Sequence, residues 1–292
     1  MFWDNYKSLK DEPMKNHCTF RVGGKVDVLV LPQSVEEFIE ILKHVQENNL
    51  KYFVLGNGSN IIPKDEGFKG IVIKTTDIKY ISLKEENEDV LEVACGNILK
   101  TVCLYALENS LSGLEFAYGI PGTVGGSIYM NAGAYGGEIK DCLIDAIVYD
   151  GKGIKTLANK DLKLSYRHSI LQENNIVVLS ARFKLKNGNK NEIKAIMDEN
   201  LFKRNSKQPV NKPSAGSAFK RPDGYFAGKL IMDSNLRGCS IGGAQVSEKH
   251  CGFIINSGNA TSKDILDLIE HVQNTVYEKF NVFLEPEVRI LE

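Results

Sequence analysis

The hydrophobic and polar positions in the first part of the chain alternate between a strand pattern and a helix pattern. Residues 26–31 form a short apolar run that ends at Pro32, which is typical of a buried strand. Ser34 and Glu37 have the spacing of a capping box and predict the start of a helix. The apolar residues that follow recur at the spacing of one helix face, at Phe38, Ile41, Leu42 and Val45.

The pattern continues to the end of the chain and predicts mixed α and β structure. Further strands are predicted at Tyr52–Leu55, 70–75, 90–94, Leu143–Tyr149 and 176–185. Gly151 and Gly153 predict a hairpin turn. Further helices are predicted at 98–109, 191–203 and Ser262–Phe280, the last with a capping box formed by Thr261 and Asp264. Residues 205–222 are polar and contain proline, which predicts a crossing into a second unit, and 282–291 predict an edge or bulged strand.

Length, composition and charge fit a globular protein with a sizeable core. The 292 residues are 42% hydrophobic and suffice for one large domain or two to three smaller lobes. A formal net charge of −1 provides no field that would attract nucleic acid or an anionic membrane. The apolar runs are too short to span a bilayer, and the N-terminal residues lack a signal-peptide pattern. The six cysteines form no C-x-x-C pair, so we expect small buried residues in a cytoplasmic protein without a metal site.

A glycine-containing turn runs from Gly56 to Asn60, directly after the predicted strand Tyr52–Leu55. Its glycines permit positive φ or a close approach of the backbone to a ligand, and successive N–H groups can form a nest for a pyrophosphate. The turn does not match the Rossmann fingerprint, because the third glycine of that motif would fall at Ile61. A tight turn between two strands, without a ligand, is the alternative interpretation.

A second glycine-rich segment covers residues 113–137. It holds eight of the 26 glycines of the chain but only one charged residue, Glu115, whereas flexible linkers are rich in serine or charge. Several of its other residues are large and apolar, among them Phe116, Ile128 and Tyr129. This composition predicts a backbone packed closely around a large, flat ligand such as a flavin, and a compact buried loop is the alternative.

Residues 200–229 form a basic stretch with a local charge of +6, in a chain whose total charge is −1. Its basic residues are Lys203, Arg204, Lys207, Lys212, Lys220, Arg221 and Lys229, and its one acid is Asp223. The stretch predicts either a site for an anionic ligand such as a nucleotide diphosphate or a solvated loop surface. Within it, Ser217 follows a glycine, but Phe219 stands where a hydrolase elbow requires glycine, so a hydrolytic serine is not favoured.

Three other charged residues stand out. Arg167 follows an aromatic residue, and taken alone it predicts a surface side chain. Glu287 and Arg289 place charge on an otherwise apolar segment. A buried carboxylate there would need a partner, which Arg289 or a ligand would supply.

Taken in order, these segments resemble the UDP-N-acetylenolpyruvoylglucosamine reductase family over residues 16–292. The resemblance rests on 19–24 (TFRVGG), 55–60 (LGNGSN), 119–126 (GIPGTVGG), 131–136 (NAGAYG), 166–167 (YR), 214–220 (SAGSAFK), 242–246 (GGAQV) and 284–289 (LEPEVR). Each motif is short, but their joint order is specific. The short spacing between Arg167 and Ser217 resembles the second type of the family, which lacks a tyrosine-bearing insertion.

The resemblance implies an α+β fold and a redox function. The expected fold is an FAD-binding unit of the vanillyl-alcohol-oxidase type, made of two α+β subdomains (1–75 and 76–200), followed by a C-terminal α+β substrate domain (201–292). The expected activity is NADPH- and FAD-dependent reduction of UDP-N-acetylglucosamine enolpyruvate to UDP-N-acetylmuramate for peptidoglycan. FAD would be held non-covalently and NADPH would be the co-substrate. We expect a monomer that binds a UDP-sugar and neither nucleic acid nor membrane.

The resemblance also implies roles for individual residues. Ser217 would donate a proton, while Arg167 and Glu287 would polarise the substrate carboxylate, Glu287 as a neutral donor whose pKa is raised by burial. FAD contacts are implied at Gly56, Asn57, Gly58, Ser59, Asn60, Gly119, Ile120, Pro121, Gly122, Gly125, Gly126, Asn131, Ala132 and Gly133. Substrate contacts are implied at Tyr166, Lys220, Arg221, Lys229 and Gln245.

Two other functions remain open from the sequence. An FAD-dependent oxidase on the same fold would act on an alcohol or sugar and its reduced form would react quickly with oxygen, although no site for covalent flavin attachment is evident. A non-enzymatic nucleotide-binding protein would not oxidise NADPH in the presence of the enolpyruvyl substrate.

Overall fold

The computed structural model describes residues 2–84 and 87–292, without the side chain of Asn87. The α-helices are α1 (Val35–Glu47), α2 (Leu99–Glu108), α3 (Val124–Tyr129), α4 (Lys190–Lys207), α5 (Ala227–Asp233) and α6 (Ser262–Phe280). Short 3-10 helices lie at Phe2–Asn5, Met14–Asn16, Thr75–Asp77, Glu115–Ala117, Ile139–Asp141, Asn159–Leu162 and Ile170–Gln172.

The strands are short and belong to several sheets. In chain order they are β1 (Ser8–Pro13), β2 (Lys25–Val30), β3 (Tyr52–Leu55), β4 (Ile61–Pro63), β5 (Phe68–Lys74), β6 (Ile81–Lys84), β7 (Asn87–Ala94), β8 (Leu111–Ser112), β9 (Gly133–Ala134), β10 (Gly137–Glu138), β11 (Leu143–Tyr149), β12 (Ile154–Ala158), β13 (Val177–Lys184), β14 (Lys186–Asn187), β15 (Ser240–Ile241), β16 (Ala244–Val246), β17 (Ile254–Asn256) and β18 (Arg289–Leu291).

The chain forms two compact units. The first comprises the residues up to Leu9, Leu29–Asn57 and Ile71–Lys203, and the second comprises Lys10–Val28, Gly58–Gly70 and Arg204–Glu292. A four-stranded sheet has the order β1-β2-β5-β3. The three domain boundaries implied by the resemblance stay a prediction.

The first unit is built on a five-stranded antiparallel sheet with the order β12-β11-β13-β7-β6. Many apolar residues of its inner strands are buried, whereas Ile154 of β12 is exposed, and α3 packs against β7 and β13. The fully buried side chains of these strands are Leu91, Val93, Ala94, Ala146, Val148, Leu179, Ala181 and Phe183. Each buried valine, leucine or phenylalanine stabilises the fold by about 1.5–3 kcal/mol relative to an exposed one.

Helix α1 begins as its sequence predicts. The Ser34 hydroxyl accepts a hydrogen bond from the Glu37 N–H at 3.2 Å, and Phe38, Ile41, Leu42 and Val45 are buried. The reciprocal half of the capping box is displaced, because the Glu37 carboxylate accepts the N–H of Gln33 at 2.8 Å. The cap therefore extends one residue further from the helix than the standard motif.

The second unit contains helix α6 and two small sheets. The sheets are antiparallel β15-β16-β17 and parallel β4-β18, and α6 packs against β15, β16 and β17. The predicted capping box of α6 is confirmed, since Thr261 and Asp264 exchange two hydrogen bonds of 3.0 Å. The apolar face of α6 is buried at Ile265, Leu268, Ile269, Val272 and Val276.

Several predicted elements need correction. The strand predicted at 282–291 is wrong over most of its length, because only Arg289–Leu291 forms a strand, paired with β4. The helix predicted at 191–203 runs over Lys190–Lys207, so the polar segment 205–222 begins inside a helix. Five cysteines are buried as predicted, but Cys239 is partly exposed. Within the described residues, no helix is both long enough and apolar enough to cross a membrane.

Candidate active site

Ser217 lies in a segment of the second unit that backbone hydrogen bonds hold from two sides. The N–H of Ala218 donates to the Gly252 carbonyl at 2.9 Å, and the Ala218 carbonyl accepts the N–H of Glu287 at 2.8 Å. Ser217 itself forms an isolated antiparallel bridge with Phe253. The position of the Ser217 backbone is therefore fixed by chain segments that are distant in sequence.

The Ser217 side chain is half-buried and accessible to a ligand. Gly216 before it has a φ of +78°, and a Cβ there would meet no atom within 4 Å, so open space adjoins the segment. Among the described residues, no protein group makes a hydrogen bond with the Ser217 hydroxyl. The hydroxyl is thus able to donate to a bound molecule.

Glu287 is held beside the Ser217 segment. In addition to the bond from its own N–H, its carbonyl accepts the Asn60 side-chain amide at 3.1 Å, and the Arg289 N–H donates to the Asn60 carbonyl at 3.0 Å. Phe219 and Pro286 form an isolated bridge next to these contacts. The structure thus brings together Ser217, Glu287 and Asn60, which the sequence places in three separate motifs.

Thr19 is a contributor to this site that the sequence analysis did not select. Its N–H donates to the Gly58 carbonyl at 3.0 Å, and its hydroxyl donates to the Ser214 carbonyl at 2.6 Å. Gly58 has a φ of +65°, and a Cβ there would lie 2.1 Å from the carbonyl oxygen of His17. Thr19 therefore ties the glycine turn to the Ser217 segment, and its presence in a family motif was the available signal.

In the first unit, Gly56 and Asn57 contact the 119–126 segment. The Asn57 side-chain amide donates to the Pro121 carbonyl at 2.7 Å, and a Cβ on Gly56 would lie 2.4 Å from the Thr123 Oγ1. The Leu99 N–H donates to the Gly122 carbonyl at 3.0 Å. Two predicted cofactor-binding segments are therefore adjacent in this unit.

The donors in this region fit the diphosphate of FAD. Among the hydrogen bonds of the described residues, none is donated by the backbone N–H groups of Asn57, Gly122 or Thr123. Clustered N–H groups on a glycine-containing backbone form a site for anionic oxygens. The residues present are therefore compatible with the cofactor that the sequence predicts.

The high glycine content of residues 113–137 also has a cause within the protein. A Cβ on Gly125 would lie 3.1 Å from the Cys95 Cβ, one on Gly133 would lie 2.9 Å from the Glu138 Cβ, and one on Gly137 would lie 2.7 Å from the Phe116 ring. Close packing of the chain on itself thus explains part of the glycine content from which the sequence predicts a flat ligand. The predicted contacts at Gly119, Ile120 and Gly126 lie in the same segment.

Asn131 and Ala132, predicted as FAD contacts, make hydrogen bonds within the protein. Asn131 is 1% exposed, and its amide donates to Glu138 at 2.5 Å and to the Ser165 carbonyl at 3.0 Å. The Ala132 N–H donates to the Ser127 carbonyl at 2.8 Å. The Asn131 N–H also donates to the Ile128 carbonyl, at 3.1 Å, so an FAD contact by Asn131 would have to come from its backbone carbonyl.

Arg167 belongs to the first unit and lies in a tight turn. Ser165 and His168 exchange backbone hydrogen bonds of 3.1 and 3.2 Å around it, and its φ is +56°. Its guanidinium lies 5.2 Å from the centre of the exposed Tyr166 ring. The three predicted catalytic residues are therefore divided, with Arg167 in one unit and Ser217 and Glu287 in the other.

The basic stretch is not a uniform positive surface. Lys220 pairs with Glu285 at 2.5 Å and Lys229 with Asp233 at 2.7 Å, and both acids lie outside residues 200–229. The Arg221 guanidinium stacks 4.0 Å from the centre of the Phe226 ring. The local charge of +6 is therefore reduced by neighbouring carboxylates. Gln245, the remaining predicted substrate contact, donates to the Gly238 carbonyl at 3.3 Å.

Comparison with known proteins gives consistent matches over nearly the whole chain. The family model for the C-terminal domain of UDP-N-acetylenolpyruvoylglucosamine reductase matches residues 208–291, and an FAD binding domain model matches residues 26–157. The reductase of Agathobacter rectalis is 50% identical over 97% of this chain and 93% of its own, and that of Geobacillus kaustophilus is 51% identical over 97% and 92%. The solved structure of the Thermus caldophilus reductase has a TM-score of 0.83 at 34% identity, covering 98% of this chain and 99% of its own.

These similarities confirm the predicted fold class. The chain has an α+β fold with an FAD-binding domain and a further C-terminal domain.

Proposed function

Because this chain belongs to the UDP-N-acetylenolpyruvoylglucosamine reductase family, we propose that it reduces UDP-N-acetylglucosamine enolpyruvate to UDP-N-acetylmuramate, with FAD as cofactor and NADPH as co-substrate. This reaction supplies a peptidoglycan precursor. The observation that carries the proposal is the 2.8 Å hydrogen bond between Glu287 and Ala218, which aligns the Ser217 and Glu287 segments.

The proposed cofactor site uses the backbone donors of the first unit. When bound, FAD supplies hydride transfer between NADPH and the enolpyruvyl double bond. The N–H groups of Asn57, Gly122 and Thr123 would hold its diphosphate. The close approach of Gly56 to Thr123 and the hydrogen bond from Asn57 to Pro121 would fix the positions of these N–H groups relative to one another. In the second unit, Gly58, Ser59 and Asn60 would complete the predicted contacts. We propose that residues 1–75 and 76–200 serve this cofactor and that 201–292 serve the substrate.

Ser217 is the proposed proton donor. Reduction converts a carbon–carbon double bond into two new C–H bonds, one formed with hydride and the other with a proton. The half-buried Ser217 hydroxyl, next to the open space at Gly216, would deliver that proton to the carbon beside the carboxylate and regain one from water. Its fixed backbone would keep the donor in place without reorganisation during the reaction.

Arg167 and Glu287 are the proposed groups that stabilise charge on the substrate carboxylate. Negative charge develops on the carbon beside this carboxylate, and moves into the carboxylate, as hydride adds to the other carbon of the double bond. A guanidinium and a protonated carboxyl are suitable hydrogen-bond donors for it. Glu287 has a fixed backbone on both sides, which supports a directed contact rather than a mobile one.

We propose that three basic residues bind the diphosphate of the UDP moiety: Lys220, Arg221 and Lys229. On binding they would leave their partners in the free protein, which are Glu285, Phe226 and Asp233 respectively. Tyr166 and Gln245 would contribute further substrate contacts. We propose a cytoplasmic monomer, in keeping with the site of nucleotide-sugar metabolism.

Replacement of Ser217 by alanine tests the proposed proton donor. Ser217→Ala should retain FAD and be reduced by NADPH at the normal rate, while reduction of the enolpyruvyl substrate slows by about 10²–10⁴-fold. Stopped-flow absorbance separates the two half-reactions. Ser214→Ala is the matched control, because it removes a hydroxyl three residues away on the same segment. Normal product formation by Ser217→Ala would contradict this role.

A further inference from the structure

Arg167 has a backbone conformation that the surrounding structure must hold in place. Its φ of +56° lies in the left-handed region, which is unfavourable for residues other than glycine and costs about 1–2 kcal/mol. Such conformations persist where neighbouring contacts determine them. The contacts of the turn Ser165–His168 therefore fix the backbone position from which the Arg167 side chain extends.

One side chain joins Arg167 to the end of helix α3. The Gln172 side-chain nitrogen donates to the Arg167 carbonyl at 3.1 Å and to the Tyr129 carbonyl at 2.8 Å. Tyr129 is the last residue of α3, where carbonyl groups lack partners within the helix. The Ser169 hydroxyl donates to the same Tyr129 carbonyl at 2.7 Å, so this connection has a second support.

Asn131 holds the other side of the turn. Its side-chain nitrogen donates to the Ser165 carbonyl at 3.0 Å and to the Glu138 carboxylate at 2.5 Å, and its side-chain oxygen accepts the Lys140 N–H at 3.1 Å. All hydrogen-bonding groups of this buried amide are satisfied, which favours a single orientation. Both ends of the turn are therefore attached to residues at or just after the end of α3.

Helix α3 relates the turn to the proposed cofactor donors. It begins after Thr123, whose hydroxyl accepts the Gly126 N–H at 3.3 Å, and it packs against β7 and β13. This short helix, buried at Val124, Ser127 and Ile128, separates Thr123 from Tyr129 by a fixed distance. A displacement at the Gln172 contact would thus move Arg167 relative to the Thr123 N–H without altering Thr123 itself.

We infer that Gln172, assisted by Asn131, is a positioning residue for Arg167. The hydrogen bonds of Gln172 fix the position of Arg167 relative to the backbone N–H groups of the proposed cofactor site. This inference rests on the proposed function, since it requires Arg167 to act on the substrate. Gln172 makes no contact with substrate in this role and acts only through the Arg167 backbone. It should therefore affect reduction of the enolpyruvyl substrate and not reduction of the flavin by NADPH.

Two substitutions at Gln172 remove the donor in different ways. Gln172→Met removes the polar group at similar length, and Gln172→Glu keeps the shape but replaces the donor by an acceptor. Each should lower kcat/KM for the enolpyruvyl substrate by about 10–100-fold, the effect expected for a misplacement of about 1 Å. The FAD spectrum and the rate of flavin reduction by NADPH should match wild type. Asn174→Asp is the control for added charge, since Asn174 is exposed and donates to the Ile170 carbonyl in the same loop.

Comparison with Arg167→Lys separates this inference from the proposed function. If Gln172 acts through the arginine, the double variant Arg167→Lys/Gln172→Met should be little slower than Arg167→Lys alone. A slow Arg167→Lys enzyme together with normal Gln172 variants would overturn the positioning role only. Fully multiplicative effects, or loss of FAD from both Gln172 variants, would also overturn it. A normal Arg167→Lys enzyme would overturn the proposed role of the arginine and the positioning role with it.

Discussion

The contact between Gly56 and Thr123 predicts that adding one methyl group will weaken FAD binding. A Cβ on Gly56 would lie 2.4 Å from the Thr123 Oγ1, whereas such contacts essentially never fall below 3.0 Å. The two groups must therefore separate by at least 0.6 Å, which is 3.0 minus 2.4. Rotation of the Thr123 side chain would break the N-cap of α3, because its hydroxyl accepts the Gly126 N–H.

The expected size of the effect follows from the hydrogen bonds that the separation would disturb. Rotation of Thr123 away from Gly56 would lose an N-cap bond of about 1 kcal/mol. A backbone shift would instead displace the N–H groups of Asn57 or Gly122 from the diphosphate, and one hydrogen bond to a charged group contributes about 1.5–3 kcal/mol. We therefore expect the Kd for FAD of Gly56→Ala to rise by about 10–100-fold.

Titration of the apoprotein with FAD, followed by flavin fluorescence quenching, measures this change. Gly153→Ala is the matched control, because a Cβ there would meet no atom within 4 Å. The double variant Gly56→Ala/Thr123→Ala lacks the clashing oxygen and should bind FAD more tightly than Gly56→Ala, whereas Gly56→Ala/Thr123→Ser retains the clash. A wild-type Kd for Gly56→Ala, or equal affinities of the two double variants, would refute the reasoning.

Two further predictions concern the second unit. Thr19→Val removes the donor to the Ser214 carbonyl and should lower the free energy of unfolding by about 1 kcal/mol while slowing substrate reduction, as measured by denaturant unfolding and stopped flow. An unchanged rate would show that the Ser217 segment does not depend on this bond. The N–H groups of Thr261 and Gly243 donate hydrogen bonds to the Asp264 carboxylate and lower its pKa in the folded protein. Ionised Asp264 therefore stabilises the fold above the unfolded pKa of about 4. This stabilisation is lost as the pH falls through the lower pKa of the folded state. The Tm difference between wild type and Asp264→Asn should thus be largest above about pH 4 and shrink in acid, and a constant difference would contradict it.

Elements specified by local interactions were predicted well. Helix α6 has the predicted bounds, because its capping box and its apolar stripe both lie within the helix sequence. The segment 282–288 has a similar apolar alternation but is not a strand. Its alternation reflects burial of Leu284 and Val288, and the backbone partner of this segment changes from Ala218 at Glu287 to Asn60 at Arg289. Such a change depends on distant residues and leaves no periodic signal.

In the candidate site, too, features set by neighbouring residues could be predicted, whereas contacts between residues distant in sequence could not. The glycine turn could be predicted because glycine has a direct conformational meaning, as the φ of Gly58 confirms. The approach of Glu287 to Ser217 could not be derived from either segment, since a backbone hydrogen bond between distant residues creates it. Gln172 acts through hydrogen bonds to the carbonyl groups of Arg167 and Tyr129. Any sequence provides carbonyl groups, so only the structure identifies this role.

The central claim is that this protein passes hydride from NADPH through FAD to an enolpyruvyl UDP-sugar. The most direct test records the visible spectrum of the purified, FAD-loaded protein without oxygen while NADPH and then UDP-N-acetylglucosamine enolpyruvate are added. The flavin absorbance should bleach with NADPH and recover with the second addition, as UDP-N-acetylmuramate forms. A protein that cannot take up FAD, or a bleached flavin that only oxygen restores, would contradict the claim.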